Sequence, residues 1–290
     1  MLPRLFVTLL YFTCLLCTPA AQCDFYTDIR HAFPPDEVKT LMVGESSNPI
    51  IEIASQTPLS LGTAVIFSEP FPSSITISQA NIMANQLAQK GWNVIISPFD
   101  FPVAVTLSKD ADLVTQDQNT GNENALPVHP QSDVSTQAYN FDSVTMALTS
   151  HITSLNNYLQ DRQGYRLVIV QGMLAGAYMN AVNVQEALQP DSLVAISPFW
   201  PQRENNNLVI KLISQSDYPV LDIALGGFND WAGSTDYKRQ NRSKVELKLH
   251  YRQVKLPGKT LTFSIKQKNK NFSNQMLTNS ILGWTRHLGW

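Results

Sequence analysis

The feature that most constrains the fold of this 290-residue chain is an alternation of short apolar runs with amphipathic helical patterns. Segments such as 78–90 and 140–160 repeat apolar residues with the 3.6-residue period of a helix that is buried on one face. Apolar runs of strand length lie at 62–67, 92–97, 165–170, 193–196 and 219–225. Such runs between helices predict an α/β fold, a doubly wound and mostly parallel sheet with helices on both faces.

The remaining patterns complete one predicted α/β domain over residues 36–290. Residues 38–43 and 50–54, separated by a Gly- and Pro-containing turn, predict an N-terminal antiparallel edge. Four more helices and one more strand are predicted: helices at 175–188, 207–214, 234–242 and 274–288, and a strand at 245–254. Residues 109–135 are rich in Asp, Gln, Asn, Thr and Pro, which predicts a polar, mobile insertion.

The N-terminus has the three-part layout of a secretory signal. A short positive start ending at Arg4 precedes an apolar run over 5–17, and small residues follow at 18–21. This layout predicts a signal peptide over residues 1–21, cleaved near Ala20–Cys23, and a periplasmic or otherwise exported protein. A retained N-terminal anchor is the alternative. The mature chain would keep one cysteine, which excludes an internal disulfide and a cysteine-based zinc site.

Charge and composition exclude several classes of binding partner for this chain. Hydrophobic residues make up 43 % of the chain, which is enough for a sizeable core, and the net charge is −2. A nucleic-acid-binding protein would carry a basic excess, so none is expected as a partner. No later segment is long and apolar enough to predict a transmembrane span in the mature chain. The five histidines are scattered singly, and no phosphate-binding loop occurs, so no metal site and no cofactor is predicted.

The most informative turn follows the predicted strand 165–170. Gly172 and Gly176 frame three residues in a segment that leads directly into a helix, which is the spacing of a nucleophile elbow. The middle residue of that frame should be Ser, Cys or Asp, and here it is Leu174. No Ser, Thr, Cys or Asp occurs between Arg162 and Pro190. The two glycines could also serve only to pack a helix on a sheet.

A wider set of motifs resembles a known family. It includes Gly44-Glu45, the strand 63–67, the segments 87–98, 165–177, 196–201, 218–222 and 251–258, and the C-terminal segment 281–290. In order and spacing these segments resemble the bacterial exported family known as domain of unknown function 3530. The resemblance implies an α/β-hydrolase-like fold and an envelope location, with no established substrate.

The chain departs from a working hydrolase at the positions that matter for chemistry. The resemblance implies a Gly-His-Gly-x-Gly-like elbow, and the fold often has His-Gly after its third strand, where Ser68-Glu69 stands here. A base is expected after the strand 245–254, yet no histidine occurs between His250 and His287, which we interpret as structural or surface residues. Asp230 occupies the position of a triad acid and is interpreted as a possible relic, although an Asp in a loop beside Gly and Asn more often serves turn chemistry.

Two functions from different classes follow. The favoured one is a non-catalytic α/β-hydrolase-like protein, a pseudoenzyme of the bacterial envelope that binds an unidentified small molecule or envelope protein. Its catalytic residues would be absent, with Gly172, Leu174 and Gly176 as a degenerate elbow. The alternative is a serine esterase or related hydrolase with relocated groups, for example Ser68 or Ser197 with His129 or His151. A serine hydroxyl within hydrogen-bond reach of a histidine nitrogen at the carboxyl edge of the sheet would favour the alternative.

Overall fold

The computed structural model describes residues 25–70, 74–102, 139–257 and 270–290. The predicted signal peptide, the predicted insertion at 109–135 and His129 lie outside these residues. In the described part of the chain, no helix combines the length and apolarity needed to cross a bilayer.

The described strands form one eight-stranded sheet in the order β1-β2-β4-β3-β5-β6-β7-β8. The pairs β1–β2 and β2–β4 are antiparallel, and all the other pairs are parallel. Their bounds are β1 Val38–Val43, β2 Ser46–Ile53, β3 Gly62–Ser68, β4 Trp92–Pro98, β5 Tyr165–Gln171, β6 Ser192–Ile196, β7 Val220–Leu225 and β8 Tyr251–Leu256. The predicted fold class, including its antiparallel edge, is confirmed.

Helices cover both faces of the sheet. In chain order they are α1 Phe25–Ala32, α2 Ile77–Ala88, α3 Phe141–Tyr158, α4 Gly172–Val184, α5 Arg203–Gln215, α6 Asp230–Val245 and α7 Lys270–His287, with a 3₁₀ turn at Glu186–Leu188. One face packs against α3, α4 and α5, and the other against α1, α2 and α7. Every residue of β3 is buried, as expected for a central strand covered on both sides.

Three local predictions need correction. The predicted strand 245–254 is wrong in its first half, because α6 extends to Val245 and β8 begins only at Tyr251. The helix α1 was not predicted at all. The helix predicted from residue 78 begins at Ile77, and its N-terminal cap is Thr76: the Thr76 hydroxyl accepts from the Gln79 backbone, and the Gln79 side chain accepts from the Thr76 backbone.

Candidate functional site

The turn from β5 into α4 is built around one residue with a left-handed backbone. Gln171 is extended, with φ −127°, and Gly172 has φ +65° and begins α4. The side chain of the N-cap residue Gln171 makes no capping hydrogen bond, so the first backbone N–H groups of α4 are left to other partners. In an α/β hydrolase the nucleophile occupies this sharp strand-to-helix turn. The residue that turns the chain here is Gly172, which has no side chain.

This register differs by two residues from the one that the glycine spacing predicted. Leu174 lies within the first turn of α4 and is completely buried in the core beside α3. It does not stand in the turn and does not fill a nucleophile site. Gly176 serves helix packing, because a Cβ atom there would lie 3.0 Å from the carbonyl oxygen of Phe199. The close contact between α4 and the chain after β6 requires a glycine at that position.

Two buried polar side chains follow β3, next to the elbow strand β5. Ile66 pairs with Ile169, so Ser68 ends β3 at the level where Gln171 ends β5. Among the described residues, the Ser68 hydroxyl and Oε1 of Glu69 have no hydrogen-bond partner. Burial raises the pKa of Glu69 well above its usual range, and a hydrogen bond from Ser74 offsets only part of this effect. Burial therefore favours the neutral form of Glu69, at the strand end that leads into the oxyanion loop of α/β hydrolases.

A serine and a histidine meet at the carboxyl end of β4. The Ser97 hydroxyl lies 2.7 Å from Nε2 of His151, which projects from α3. Both side chains are almost completely buried, and the rings of Phe67 and Phe99 pack around the imidazole. Burial lowers the pKa of His151 to about 4, so the ring is neutral at pH 7. From the sequence, His151 was proposed as a partner of Ser68 or Ser197, and Ser97 was not proposed. The one sequence signal for Ser97 was its place at the end of a predicted strand, just before Pro98.

The other nucleophile candidate has a structural role. Ser197 follows β6 with φ +43°, and its hydroxyl accepts a hydrogen bond of 3.0 Å from the backbone N–H of Leu225. Its own N–H donates to the carbonyl of Ile223. These two bonds tie the end of β6 to β7. Ser197 contacts neither His151 nor any other described histidine through a hydrogen bond.

Among the described residues, the predicted acid Asp230 and the two C-terminal histidines do not come together. Asp230 is exposed at the start of α6, directly after the cap residue Asn229. His250 is exposed in the turn that precedes β8, at the amino edge of the sheet and not within the strand as predicted. His287 is exposed in the last turn of α7. These three residues lie on separate elements, and no hydrogen bond joins any two of them.

A buried carboxylate that the sequence analysis missed lies in the middle of β7. Asp222 is fully buried and accepts from Nε and Nη2 of Arg239 at 2.9 and 3.1 Å. It also accepts from the Tyr251 hydroxyl and the Gln253 amide, each at 2.9 Å. Burial lowers the pKa of Arg239, but Asp222, Asp236 and Tyr251 together outweigh burial, so the pKa is raised. The arrangement holds α6 against β7 and β8.

Two clefts of the described surface lie beside the end of β2. One, of about 580 Å³, is bordered by Phe33, Glu37, Ile53 and the start of α2. The other, of about 390 Å³, adjoins it between Lys39, Glu52 and Arg162. Ile53 lines both clefts and pairs with Val94 in the first half of β4. The described residues include no group of three His, Cys, Asp or Glu side chains that could hold a metal ion.

Comparison with known proteins gives the fold and no closer relationship. No protein-family model matches the chain, and no curated protein matches it significantly in sequence. Among solved structures it is similar to Thermogutta terrifontis esterase 2 phosphoramylated by tabun, with a TM-score of 0.57 and 10 % identity over 90 % of this chain and 98 % of that one.

Two further solved structures of hydrolases are similar to this chain over most of its length. The esterase domain of a Rhodothermus marinus protein has a TM-score of 0.51 and 10 % identity, over 86 % of this chain and 97 % of that one. An α/β serine hydrolase without a lid from Xanthomonas campestris has a TM-score of 0.50 and 13 % identity, over 88 % and 96 %. The chain therefore has an α/β-hydrolase-like fold.

Proposed function

We propose that this chain is an exported α/β-hydrolase-like protein that binds a small oxygen-bearing ligand at the carboxyl edge of its sheet without hydrolysing it. The observation that carries the proposal is Gly172, the left-handed residue of the elbow turn. A triad needs a hydroxyl or thiol at that point, and its loss removes most of the catalysis that a hydrolase provides. The base position after β8 also lacks a histidine.

The binding part of the proposal rests on the polar groups that remain at this edge. Buried polar atoms in proteins nearly always have a partner, so an unpaired one calls for a water or a ligand. The Ser68 hydroxyl and Oε1 of Glu69 are two such atoms, and the uncapped start of α4 lies beside their strand. Burial raises the pKa of Glu69 and so favours its protonated form, which can donate a hydrogen bond as well as accept one.

The second candidate is a serine hydrolase with relocated groups. The contact between Ser97 and His151 favours it, as do the esterases among the structural neighbours. Three local features weigh against it. Ser97 lies in a regular strand and not in a sharp turn, both side chains are at most 1 % exposed, and the lowered pKa makes His151 a weak base. We therefore place it second, although the neighbours as a group favour it over a pseudoenzyme.

The two candidates differ in ester turnover. A panel of short-chain p-nitrophenyl esters is assayed with the wild type, Ser97→Ala and the matched variant Ser197→Ala. The first candidate predicts no turnover above the background in any of the three proteins. Turnover by the wild type that Ser97→Ala abolishes and Ser197→Ala preserves would establish the second candidate. Turnover that survives both changes would reveal another catalytic centre and would overturn the first candidate as well.

Binding without turnover is tested with p-nitrophenyl butyrate as the probe. Saturation transfer from the protein to the intact ester, observed by NMR, should be lost in Ser68→Ala/Glu69→Leu. The matched variant Ser150→Ala, which removes an exposed hydroxyl on α3, should retain it. Equal transfer in both variants would show that the ester binds elsewhere and would overturn this part of the proposal.

Export and family membership complete the proposal. The N-terminal pattern supports cleavage near Ala20–Cys23, and the ordered motifs support kinship with the family known as domain of unknown function 3530. Fractionation of expressing bacteria, followed by mass spectrometry of the N-terminus, tests the first point. A periplasmic protein that begins at residues 21–23 is expected, and an intact N-terminus in the inner membrane would contradict export with cleavage.

A further inference from the structure

The turn between α6 and β8 exposes three large aliphatic side chains within five residues. Val245, Leu247 and Leu249 are 73 %, 82 % and 80 % exposed. We call residues 245–250 the apolar tip. Isolated exposed aliphatic residues are ordinary on protein surfaces, but a contiguous group usually marks a surface that meets a membrane or another protein.

The backbone holds these side chains outward in a fixed conformation. Leu247 has φ +52°, a region in which glycine is the usual residue after a helix. The N–H of Leu247 donates to the carbonyl of Lys244, and that of Lys248 donates to the carbonyl of Ser243. His250 is a second left-handed residue, also with φ +52°. Strained non-glycine residues of this kind concentrate at functional sites.

The side chain of Lys248 anchors the tip to the neighbouring loop. Its ammonium group donates to the Ser216 hydroxyl at 2.8 Å, to the Tyr218 carbonyl at 3.1 Å and to the Ser216 carbonyl. The turn is therefore fastened on both sides while its leucines remain in solvent. An ordered apolar projection loses less conformational entropy on binding than a flexible loop would.

Positive charge surrounds the tip. Residues 242–252 contain four Lys or Arg and one Glu, a net charge of +3 with His250 neutral, in a chain whose net charge is −2. Lys244 and Arg252 are exposed, whereas Arg242 pairs with Glu246 at 2.5 Å. Asp217 is the exposed acid beside Lys248. The balance near the tip remains basic when Asp217 is included.

From this combination we propose that the apolar tip is a docking site for an anionic lipid surface. Exposed aliphatic side chains flanked by the exposed cations Lys244 and Arg252 suit the boundary between acyl chains and anionic headgroups. Protein interfaces, by contrast, are enriched in aromatic residues and depleted of lysine. The tip lies at the amino edge of the sheet, because it immediately precedes β8. Docking there leaves the elbow turn, at the opposite edge, facing away from the lipid.

The test compares vesicle binding by the protein as purified from expressing cells with binding by two variants. Leu247→Gly/Leu249→Gln removes the apolar projection and also relieves the left-handed strain at position 247, so the variant should fold at least as well. The matched control is Met146→Gln on α3, where the native side chain is 65 % exposed. Co-sedimentation is measured with phosphatidylglycerol–phosphatidylcholine vesicles and with pure phosphatidylcholine vesicles.

We expect the wild type and Met146→Gln to bind the anionic vesicles, and the double variant to bind at least about tenfold more weakly. Binding should also fall on raising the salt to about 0.5 M, because headgroup attraction is screened. Equal binding by the wild type and the double variant would overturn the proposal, as would equal binding of the wild type to neutral vesicles. Lipid-free self-association that the double variant abolishes would instead assign the tip to a protein contact and would also overturn it.

Discussion

Two buried polar clusters on the same sheet differ in how completely their groups are paired. Around Asp222, both carboxylate oxygens accept hydrogen bonds, and Arg239 spans the contact between β7 and α6. At the carboxyl ends of β3 and β4, Ser97 has only His151, and Ser68 has no described partner. We call the Asp222 network the saturated cluster because its carboxylate is fully paired, although Oε1 of Gln253 has no partner among the described residues. A saturated carboxylate stabilises the fold and leaves little for a ligand to bind. The unsaturated cluster is where a ligand would find unused hydrogen-bonding groups.

The largest expected effect comes from breaking the saturated cluster. Arg239→Met leaves Asp222 buried without its cation and should lower the free energy of unfolding by about 3–5 kcal/mol. Urea denaturation measures the change. The double variant Asp222→Leu/Arg239→Met removes both charges, and its free energy of unfolding should fall clearly less than that of Arg239→Met. If the double variant is as unstable as the single one, the loss comes from packing and not from the uncompensated charge.

The unsaturated cluster should control the acid side of the stability profile. The pKa of His151 is about 4 in the folded protein, against about 6.5 in an unfolded chain. The unfolded state therefore takes up the proton first, and stability is lost as the pH falls from about 6.5 toward 4. The contribution is roughly 3 kcal/mol.

A paired substitution isolates the contribution of His151 to the pH dependence of stability. Urea denaturation across that pH range should give a flatter profile for Ser97→Ala/His151→Phe than for the wild type. His287→Phe, which changes an exposed histidine, is the matched control and should leave the slope intact. An unchanged slope in the double variant would mean that His151 is not the group that titrates.

A smaller effect is expected at the elbow turn itself. Gly172→Ala places a side chain on a left-handed backbone and should cost about 1–2 kcal/mol of stability. Gly44→Ala, in the β1–β2 hairpin with φ +59° and open space around it, provides the reference. If urea denaturation shows that Gly172→Ala and Gly44→Ala lose similar stability, the added Cβ atom at position 172 meets no crowded neighbour. A gain of stability in Gly172→Ala would contradict the left-handed assignment.

The sheet could be predicted from the sequence more completely than the site. The reason is that a buried strand leaves a signature in neighbouring residues, whereas the site depends on residues far apart in the chain. The runs at 62–67, 92–97 and 165–170 form buried strands because burial on both faces leaves a local signature. Residues 245–250 alternate apolar and polar side chains as a strand does, yet the apolar half is exposed, so the strand prediction failed there. The local sequence pattern does not show whether the apolar side chains of such a segment are buried or exposed.

The site depends on backbone angles and distant contacts. The glycine spacing centred the elbow on Leu174, whereas only the φ angle of Gly172 reveals which residue turns the chain. Ser97 and His151 are separated by 54 positions, and the Asp222 network joins three elements. Pairings of this kind depend on the assembled sheet, so no local pattern predicts them.

Fluorophosphonate labelling tests the central claim most directly, because the probe modifies an activated serine without requiring a known substrate. The wild-type protein is treated with the probe and analysed by intact mass and peptide mapping, beside Ser97→Ala. The account predicts no adduct on either protein, since Gly172 provides no nucleophile and Ser97 is buried. A stoichiometric adduct on Ser97 that disappears in Ser97→Ala would contradict the account and identify a working serine hydrolase.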